Sequence, residues 1–351
     1  MKYLSLFSGI GGFELGIQKA YEDKLCGEKQ QERLSGVQQG RDSSSIASED
    51  RHPQAIGYSE IDKYAIQVYN KHFNHKNYGD CTKINATELP DFDLLVGGFP
   101  CQAFSIAGKR RGFDDTRGTL FFDIARILKE KHPRNFILEN VKGLLSHDNG
   151  RTFKTIISTL VELGYGVEWQ VLNAKNFGVP QNRERVFIVG HLGGFSGRKV
   201  FPITSDTGEI TESVKRKRIT TGRTRNFGSS GQLHQPDEIC STMTQSMGTG
   251  GNNVPCIIGF KSPLKETDIA STLMARDYKG IGNQGTNAVI NETRIRRLTP
   301  KECERLMSYP DDWTLEGTEG KISDTQRYKM CGNGIVSNVV AEVVRPLISK
   351  L

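Results

Sequence analysis

The chain opens on a feature that leaves few architectures available. Tyr3-Leu4-Ser5-Leu6-Phe7 has the length and apolar content of one buried strand. It runs without a spacer into Ser8-Gly9-Ile10-Gly11-Gly12, and a helical stretch follows from about Phe13 to Tyr21. Strand, glycine turn and helix in that order form the first unit of a wound α/β sheet. The rhythm continues with a strand over Ala55–Ser59 and a helix near Lys63 to Phe73. Further strands follow at Phe92–Gly97 and Phe136–Glu139, then a helix near Phe153 to Leu163 and a strand at Val186–Gly190. This alternation predicts a largely parallel sheet with helices on both faces.

Two stretches break the pattern. Residues 27–53 hold only Leu34, Val37, Ile46 and Ala47 as apolar side chains, too few to offset the entropy of ordering, and are expected to be a polar insertion. From about 191 to 295 helical periodicity is poor and short strands and loops are expected. Residues 191–290 carry 14 of the 38 glycines and a net charge of +4 out of the chain's +7, with a basic cluster at Lys215-Arg216-Lys217-Arg218. Beyond 296 the chain becomes helical again. Thr299 and Glu302 have the spacing of a capping box at the start of a helix over Pro300–Met307, and Asn338–Ile348 reads as a final amphipathic helix. The expected division is therefore a discontinuous large domain, 1–190 plus 296–351, around a smaller one, 191–295.

Composition removes several function classes. No apolar run approaches the length of a membrane span, and Gly9, Gly11, Gly12 and Glu14 interrupt the only stretch resembling a signal peptide. The seven cysteines are widely spaced without a CxxC pair, which argues against a disulfide framework and a zinc site and suits a reducing cytoplasm. The charge balance, 47 Lys and Arg against 40 Asp and Glu, is compatible with a polyanionic partner.

Four motifs fall at the edges of the expected strands. Phe7-Ser8-Gly9-Ile10-Gly11-Gly12 lets a ligand approach the backbone, but Phe13-Glu14 replaces the third glycine of a dinucleotide fingerprint. Glu60, with Ile61 beside it, ends the second strand, where a carboxylate can accept from ribose hydroxyls; Asp80, expected after a third strand position, can accept from an adenine amino group. Phe99-Pro100-Cys101-Gln102 presents a candidate nucleophile at a sheet edge. Glu139-Asn140-Val141 and Gln181-Asn182-Arg183-Glu184-Arg185 complete the set.

Taken in order, these motifs resemble the cytosine-C5 DNA methyltransferase family, in its prokaryotic or phage restriction-modification branch. Arg297-Leu298-Thr299-Pro300, with Glu302, Arg305 and Leu306, and then Gly332-Asn333-Gly334 extend the likeness to the C-terminal segment. Met307-Ser308-Tyr309-Pro310 and Gly334 depart slightly from the usual pattern. The resemblance implies a Rossmann-like S-adenosyl-L-methionine-dependent sheet with a smaller target-recognition domain of strands and loops. It implies a monomer acting on double-stranded DNA without an obligate protein partner, and protection of that DNA from a restriction endonuclease. It also implies roles. Cys101 attacks C6 of a flipped cytosine, a buried Glu139 meets N3, Arg185 donates to the base carbonyl and orders the carboxylate, and Arg183 holds the loop. The donor pocket would use Phe7, Gly9, Gly11, Gly12, Glu60, Ile61, Asp80 and Asn333. DNA would meet Gln102, Ser105, Lys109, Arg110 and Arg111 on a closing loop, and the Lys215–Arg218 cluster. Two alternatives remain at this point: an RNA cytosine methyltransferase, against which Cys101-Gln102-Ala103 argues where Cys-Phe-Thr is expected, and an inactive DNA-binding relative, against which the intact motifs argue.

Overall fold

The computed structural model describes residues 1–35, 52–100, 120–194, 199–203, 240–241, 288–291 and 294–348. The central element is a six-stranded sheet. Its strands are β1 (Lys2–Leu6), β2 (Gln54–Ser59), β3 (Leu94–Gly98), β4 (Asn135–Val141), β5 (Tyr165–Asn173) and β7 (Glu184–Leu192). The short β6 (Gln181–Asn182) lies outside it, and the sheet order is β2-β1-β3-β4-β7-β5. The first four strands run parallel. Their near-continuous apolar character follows from burial on both faces. Period-two alternation sorts their side chains into two cores. Tyr3, Leu94, Val96, Ile137, Phe187 and Val189 point to one, and Leu4, Leu95, Phe136, Leu138, Val186 and Ile188 to the other.

Helices cover both faces. They are α1 (Gly12–Ser35), α2 (Lys63–His72), α3 (Leu120–Lys131), α4 (Arg151–Glu162), α5 (Pro300–Leu306), α6 (Asp324–Asn333) and α7 (Ser337–Ile348). The α3 and α4 side chains Phe121, Ile124, Ile156 and Leu160 belong to the second core. Those of α1, α2, α6 and α7 belong to the first. Thr299 caps α5 and Glu302 returns the bond, so the expected capping box is formed.

The C-terminal segment folds back against the first helix. Gly16 has no side chain, and this lets α7 approach: a β-carbon built there would lie 2.5 Å from Val340 Cβ and 2.8 Å from the Ser337 carbonyl. Lys19 Nζ donates to the Ser308 carbonyl, Ser337 Oγ and Asn338 Oδ1 at 2.7, 2.8 and 2.9 Å.

The sheet is largely parallel, as expected, except that β7 runs antiparallel to both β4 and β5; two other expectations need correction. The β5–β7 connection holds only short elements, no crossover helix, and a parallel pair requires a crossover. The polar stretch 27–53 is ordered at its start, because α1 continues through Ser35; Glu, Lys, Gln and Arg are good helix formers whether or not they bury anything. Asp80 does not follow a strand. It caps the single helical turn Cys81–Lys83. Of the expected smaller domain, the described residues include Cys240–Ser241, pairing in parallel with β6, and the antiparallel strands Ala288–Asn291 and Arg294–Arg297. Among the described residues, no helix is long and apolar enough to cross a membrane.

Glu14, in the first turn of α1, is wholly buried and accepts a hydrogen bond from the Tyr69 hydroxyl at 3.0 Å. Burial outweighs its hydrogen bonds and pushes the carboxyl up to about 7. An acid raised in the folded state stabilises that state fully below its unfolded value and loses the contribution as pH rises through the folded one. The wild type should therefore lose stability between about pH 4.5 and 7. Glu14→Gln removes that titration. Urea unfolding at pH 5 and pH 8 should show the variant gaining on the wild type by on the order of 2–3 kcal/mol at the higher pH. Equal pH slopes for the two proteins would contradict the assignment.

Candidate active site

The order of strands reverses beside β1: β2 lies on one side of it, β3 and β4 on the other. In open α/β sheets the crevice beyond the carboxyl ends at such a reversal is where ligands bind. The sequence between β1 and α1 is shaped for it. Phe7 has φ of 55° and Gly9 and Gly11 have φ of 54° and 87°, all in the left-handed region, which turns the chain sharply into α1. A β-carbon built on Gly9 meets nothing within 4 Å, so this part of the turn faces open space. Gly11 and Gly12 are closed off: built β-carbons would strike Phe73 Cε2 at 2.3 Å and the Tyr309 hydroxyl at 2.4 Å. The N-terminal N–H groups of a helix lack partners within it, so the turn meets the electropositive end of α1.

Glu60 braces this turn from β2. Its Oε2 accepts from Gly9 N at 2.9 Å, and its Oε1 accepts from the Ile61 and Asp62 amides at 2.8 Å each. A carboxylate has about four lone-pair positions, so three backbone donors leave room for one more partner. Ile61 beside it is 72% exposed, an apolar side chain presented at the sheet edge. Asp80 is close in the fold, since Ser59 Oγ donates to the Gly79 carbonyl at 2.6 Å. The Thr82 amide and hydroxyl hold the Asp80 carboxyl below its usual range. Asn77 clips the two segments together, accepting from Gly79 N at 2.8 Å and donating to the Glu60 carbonyl at 3.2 Å.

The second half of the site sits on β4 and β7. Glu139 pairs in register with Phe187, so Arg185, two residues earlier on the antiparallel strand, is its diagonal neighbour. Arg185 Nε lies 2.9 Å from Glu139 Oε1, with the two side chains only 9% and 12% exposed. The reversal of β7 makes this possible, because it brings the start of that strand to the carboxyl end of β4. Burial pulls the Arg185 guanidinium down, and Glu139 pulls it back up. Arg183 is buried and donates through Nη2 to the Gly334 carbonyl at 2.6 Å and the Gly332 carbonyl at 3.3 Å. Its guanidinium is held well below its ordinary value, first by burial and then by the neighbouring Arg185. Asn333, the last residue of α6, lies between those two glycines.

On β3, Gly98 pairs with Glu139, and a β-carbon built there would lie 3.1 Å from Glu139 Oε2. Asn140 Nδ2 donates to the Phe99 carbonyl at 2.9 Å. The backbone leading to Pro100 and Cys101 is thereby fixed beside Glu139. Cys101, Gln102, Ser105, Lys109, Arg110 and Arg111 lie outside the described residues, as do Lys215, Arg216, Lys217 and Arg218. The structure thus gathers Phe7, Gly9, Gly11, Gly12, Glu60, Ile61 and Asp80 at one end of the crevice. Glu139, Arg183, Arg185 and Asn333 belong to the neighbouring strands and the returning C-terminal segment.

Sequence reasoning assigned no role to Asn140, Asn77, Tyr309 or Trp313. Asn140 stood inside a motif already singled out. Tyr309 stands in the Met307–Pro310 run noted only for its departure from pattern and Trp313 three residues beyond it; an aromatic pair flanking Pro310-Asp311-Asp312 is the available signal.

The sheet, its reversal point and the glycine turn make up the Rossmann-like fold of the methyltransferases. Solved structures share it: the Dnmt2 methyltransferase of S. pombe superposes with a TM-score of 0.59 at 17% identity over 99% of both chains. The methyltransferase EhMeth of Entamoeba histolytica gives 0.58 at 17% identity, covering 100% of this chain and 98% of the other. The C-5 cytosine-specific DNA methylase profile matches residues 1–349, and the chain belongs to that family. Type II methyltransferase M1.ScrFI of Lactococcus lactis subsp. cremoris is 38% identical across 100% of this chain and 78% of its own length. M.SsoII of Shigella sonnei is 39% identical (100% and 80%), and M.HhaI of Haemophilus parahaemolyticus is 32% identical (100% and 95%). The protein is a DNA (cytosine-5-)-methyltransferase that draws on a methyl donor.

Proposed function

We propose that this enzyme methylates C5 of a cytosine flipped out of a specific double-stranded DNA sequence, as the modification partner of a restriction endonuclease. The observation that carries the reading is the Glu139–Arg185 pair, set against the Phe99 carbonyl that Asn140 holds two residues before Cys101. A carboxyl group and a guanidinium meet at one sheet edge, beside the crevice that holds the glycine turn, and Cys101 follows two residues after the Phe99 carbonyl in the sequence.

The donor is S-adenosyl-L-methionine. The open face at Gly9, the exposed apolar Ile61 and the remaining acceptor site on Glu60 suit a nucleoside with a charged tail. Phe7, Gly11, Gly12, Asp80 and Asn333 complete the pocket. When bound, this group supplies an electrophilic methyl. The chain's own residues prepare the cytosine to receive it. The Cys101 thiolate forms an Sγ–C6 bond, which makes C5 an enamine carbon able to take the methyl group. Glu139, oriented by Arg185, meets N3 as charge grows there, and Arg185 also faces the base carbonyl. Loss of the C5 proton then breaks the Sγ–C6 bond and frees the enzyme. Arg183 ties β7 to the C-terminal segment.

Flipping the base costs a few kcal/mol of lost stacking. The loop with Gln102, Ser105, Lys109, Arg110 and Arg111 closes on the DNA, and residues 191–295 read the sequence, with Lys215–Arg218 on phosphates. The enzyme acts as a monomer in the cytoplasm.

Labelled-methyl transfer to duplex DNA, followed by bisulfite sequencing, tests this reading and should return one methylated cytosine context. Glu60→Ala tests the donor site. It should weaken S-adenosyl-L-homocysteine binding by about tenfold or more in calorimetry, the cost of one lost charge-assisted hydrogen bond together with a loosened turn. Random methylation, or unchanged affinity in the variant, would overturn the corresponding part.

A further inference from the structure

The glycine turn is braced on its β2 side by Glu60. Its other brace comes from the far end of the chain. Trp313 Nε1 donates to the Ile10 carbonyl at 2.9 Å, in the middle of the turn. The indole is 8% exposed and cannot drift. His72 stacks on it at 3.6 Å with an interplanar angle of 7°, and the His72 Nε2 lies 2.8 Å from the Trp313 carbonyl. Phe73, the ring that closes off Gly11, meets Trp313 edge-on at 5.9 Å.

The backbone carrying Trp313 is fixed in turn by a buried ion pair. Glu304, wholly buried on α5, accepts from the Asp312 amide at 2.8 Å and the Thr314 amide at 2.9 Å, the residues on either side of Trp313. The same carboxylate accepts from Arg327 Nη2 of α6 at 3.0 Å. Arg327 Nε also donates to Thr314 Oγ1 at 3.0 Å. A carboxylate spanning both neighbours of one tryptophan, and itself neutralised, determines where that indole points.

We propose that Trp313 is a positioning residue for the methyl donor: its indole N–H orients the Ile10–Gly11 peptide of the donor-binding turn, and the Glu304–Arg327 pair aims it. This rests on the reading of that turn as the donor site. The N–H group is polar and the ring is already held by stacking, so removing the hydrogen bond should disturb the turn more than the core.

Trp313→Phe keeps an aromatic ring and deletes the donor; Trp313→Tyr is the second variant should phenylalanine leave too large a void. In whichever folds, the KM for S-adenosyl-L-methionine and the Kd for S-adenosyl-L-homocysteine should rise about tenfold. At saturating donor kcat should stay within about threefold, and the affinity for duplex DNA should not move. A purely structural role would instead lower the melting temperature and kcat together without a selective change in donor KM, and would overturn the proposal. Glu60→Ala measured alongside separates the two levels. If it weakens donor binding while the Trp313 variants do not, the inference fails and the donor site stands. If neither variant affects donor binding, the reading of the donor site fails and takes the inference with it.

Discussion

Cys101→Ser is expected to abolish methyl transfer, with a fall on the order of 10⁴ or more in kcat, while S-adenosyl-L-homocysteine binds as in the wild type. The hydroxyl has nearly the size of the thiol but does not ionise near neutral pH, so no comparable nucleophile reaches C6. Everything else at the site survives the change. Asn140 still holds the Phe99 carbonyl, and Glu60 still braces Gly9. The measurement is labelled-methyl transfer to duplex DNA alongside calorimetry of donor-product binding. Activity within tenfold of wild type would remove Cys101 from the mechanism. A duplex carrying 5-fluorocytosine at the target should trap the wild-type chain covalently and leave the serine variant free, because fluorine cannot depart as a proton does.

Glu139→Gln is expected to slow methylation by about 10²–10⁴-fold, the range for a lost general acid or base. Gln retains an oxygen that can accept from Arg185, so the pair's geometry largely survives. Its charge does not, and a buried guanidinium losing its partner destabilises the fold by up to about 3–5 kcal/mol. Single-turnover rates at saturating DNA and donor separate the chemical defect from that loss, and donor affinity should be unchanged. An unchanged single-turnover rate would mean that N3 is served by another group.

Local signals were legible in the sequence and long-range ones were not. The Thr299–Glu302 capping box spans three positions and formed as read. The glycine turn adjoins the strand that produces it, and each motif lies within a few residues of an apolar run, so all were visible as sheet-edge features. The direction of β7 was not visible. Val186-Phe187-Ile188-Val189 is buried on both faces and reads the same whichever way it runs. Only the lack of a helix-length segment after β5 carried the information, and β5 itself is weakly marked because Trp169 is 47% exposed. The Trp313–Ile10 bond joins residues 303 positions apart, beyond any periodicity. Polarity concealed the end of α1, whose last turns are built of residues that favour helix without needing a core.

The return of the C-terminal segment onto α1 sets an order of events during synthesis. The glycine turn is synthesised well ahead of its partners: Trp313, Lys19's acceptors and the Val340 contact at Gly16 all lie beyond residue 300. A nascent chain halted before that point carries Glu139, Arg185 and the Glu60 brace, but lacks the Trp313 brace on the other side of the turn. The turn's second brace therefore depends on a contact across 303 positions of sequence, which forms only once the C-terminal segment has been made.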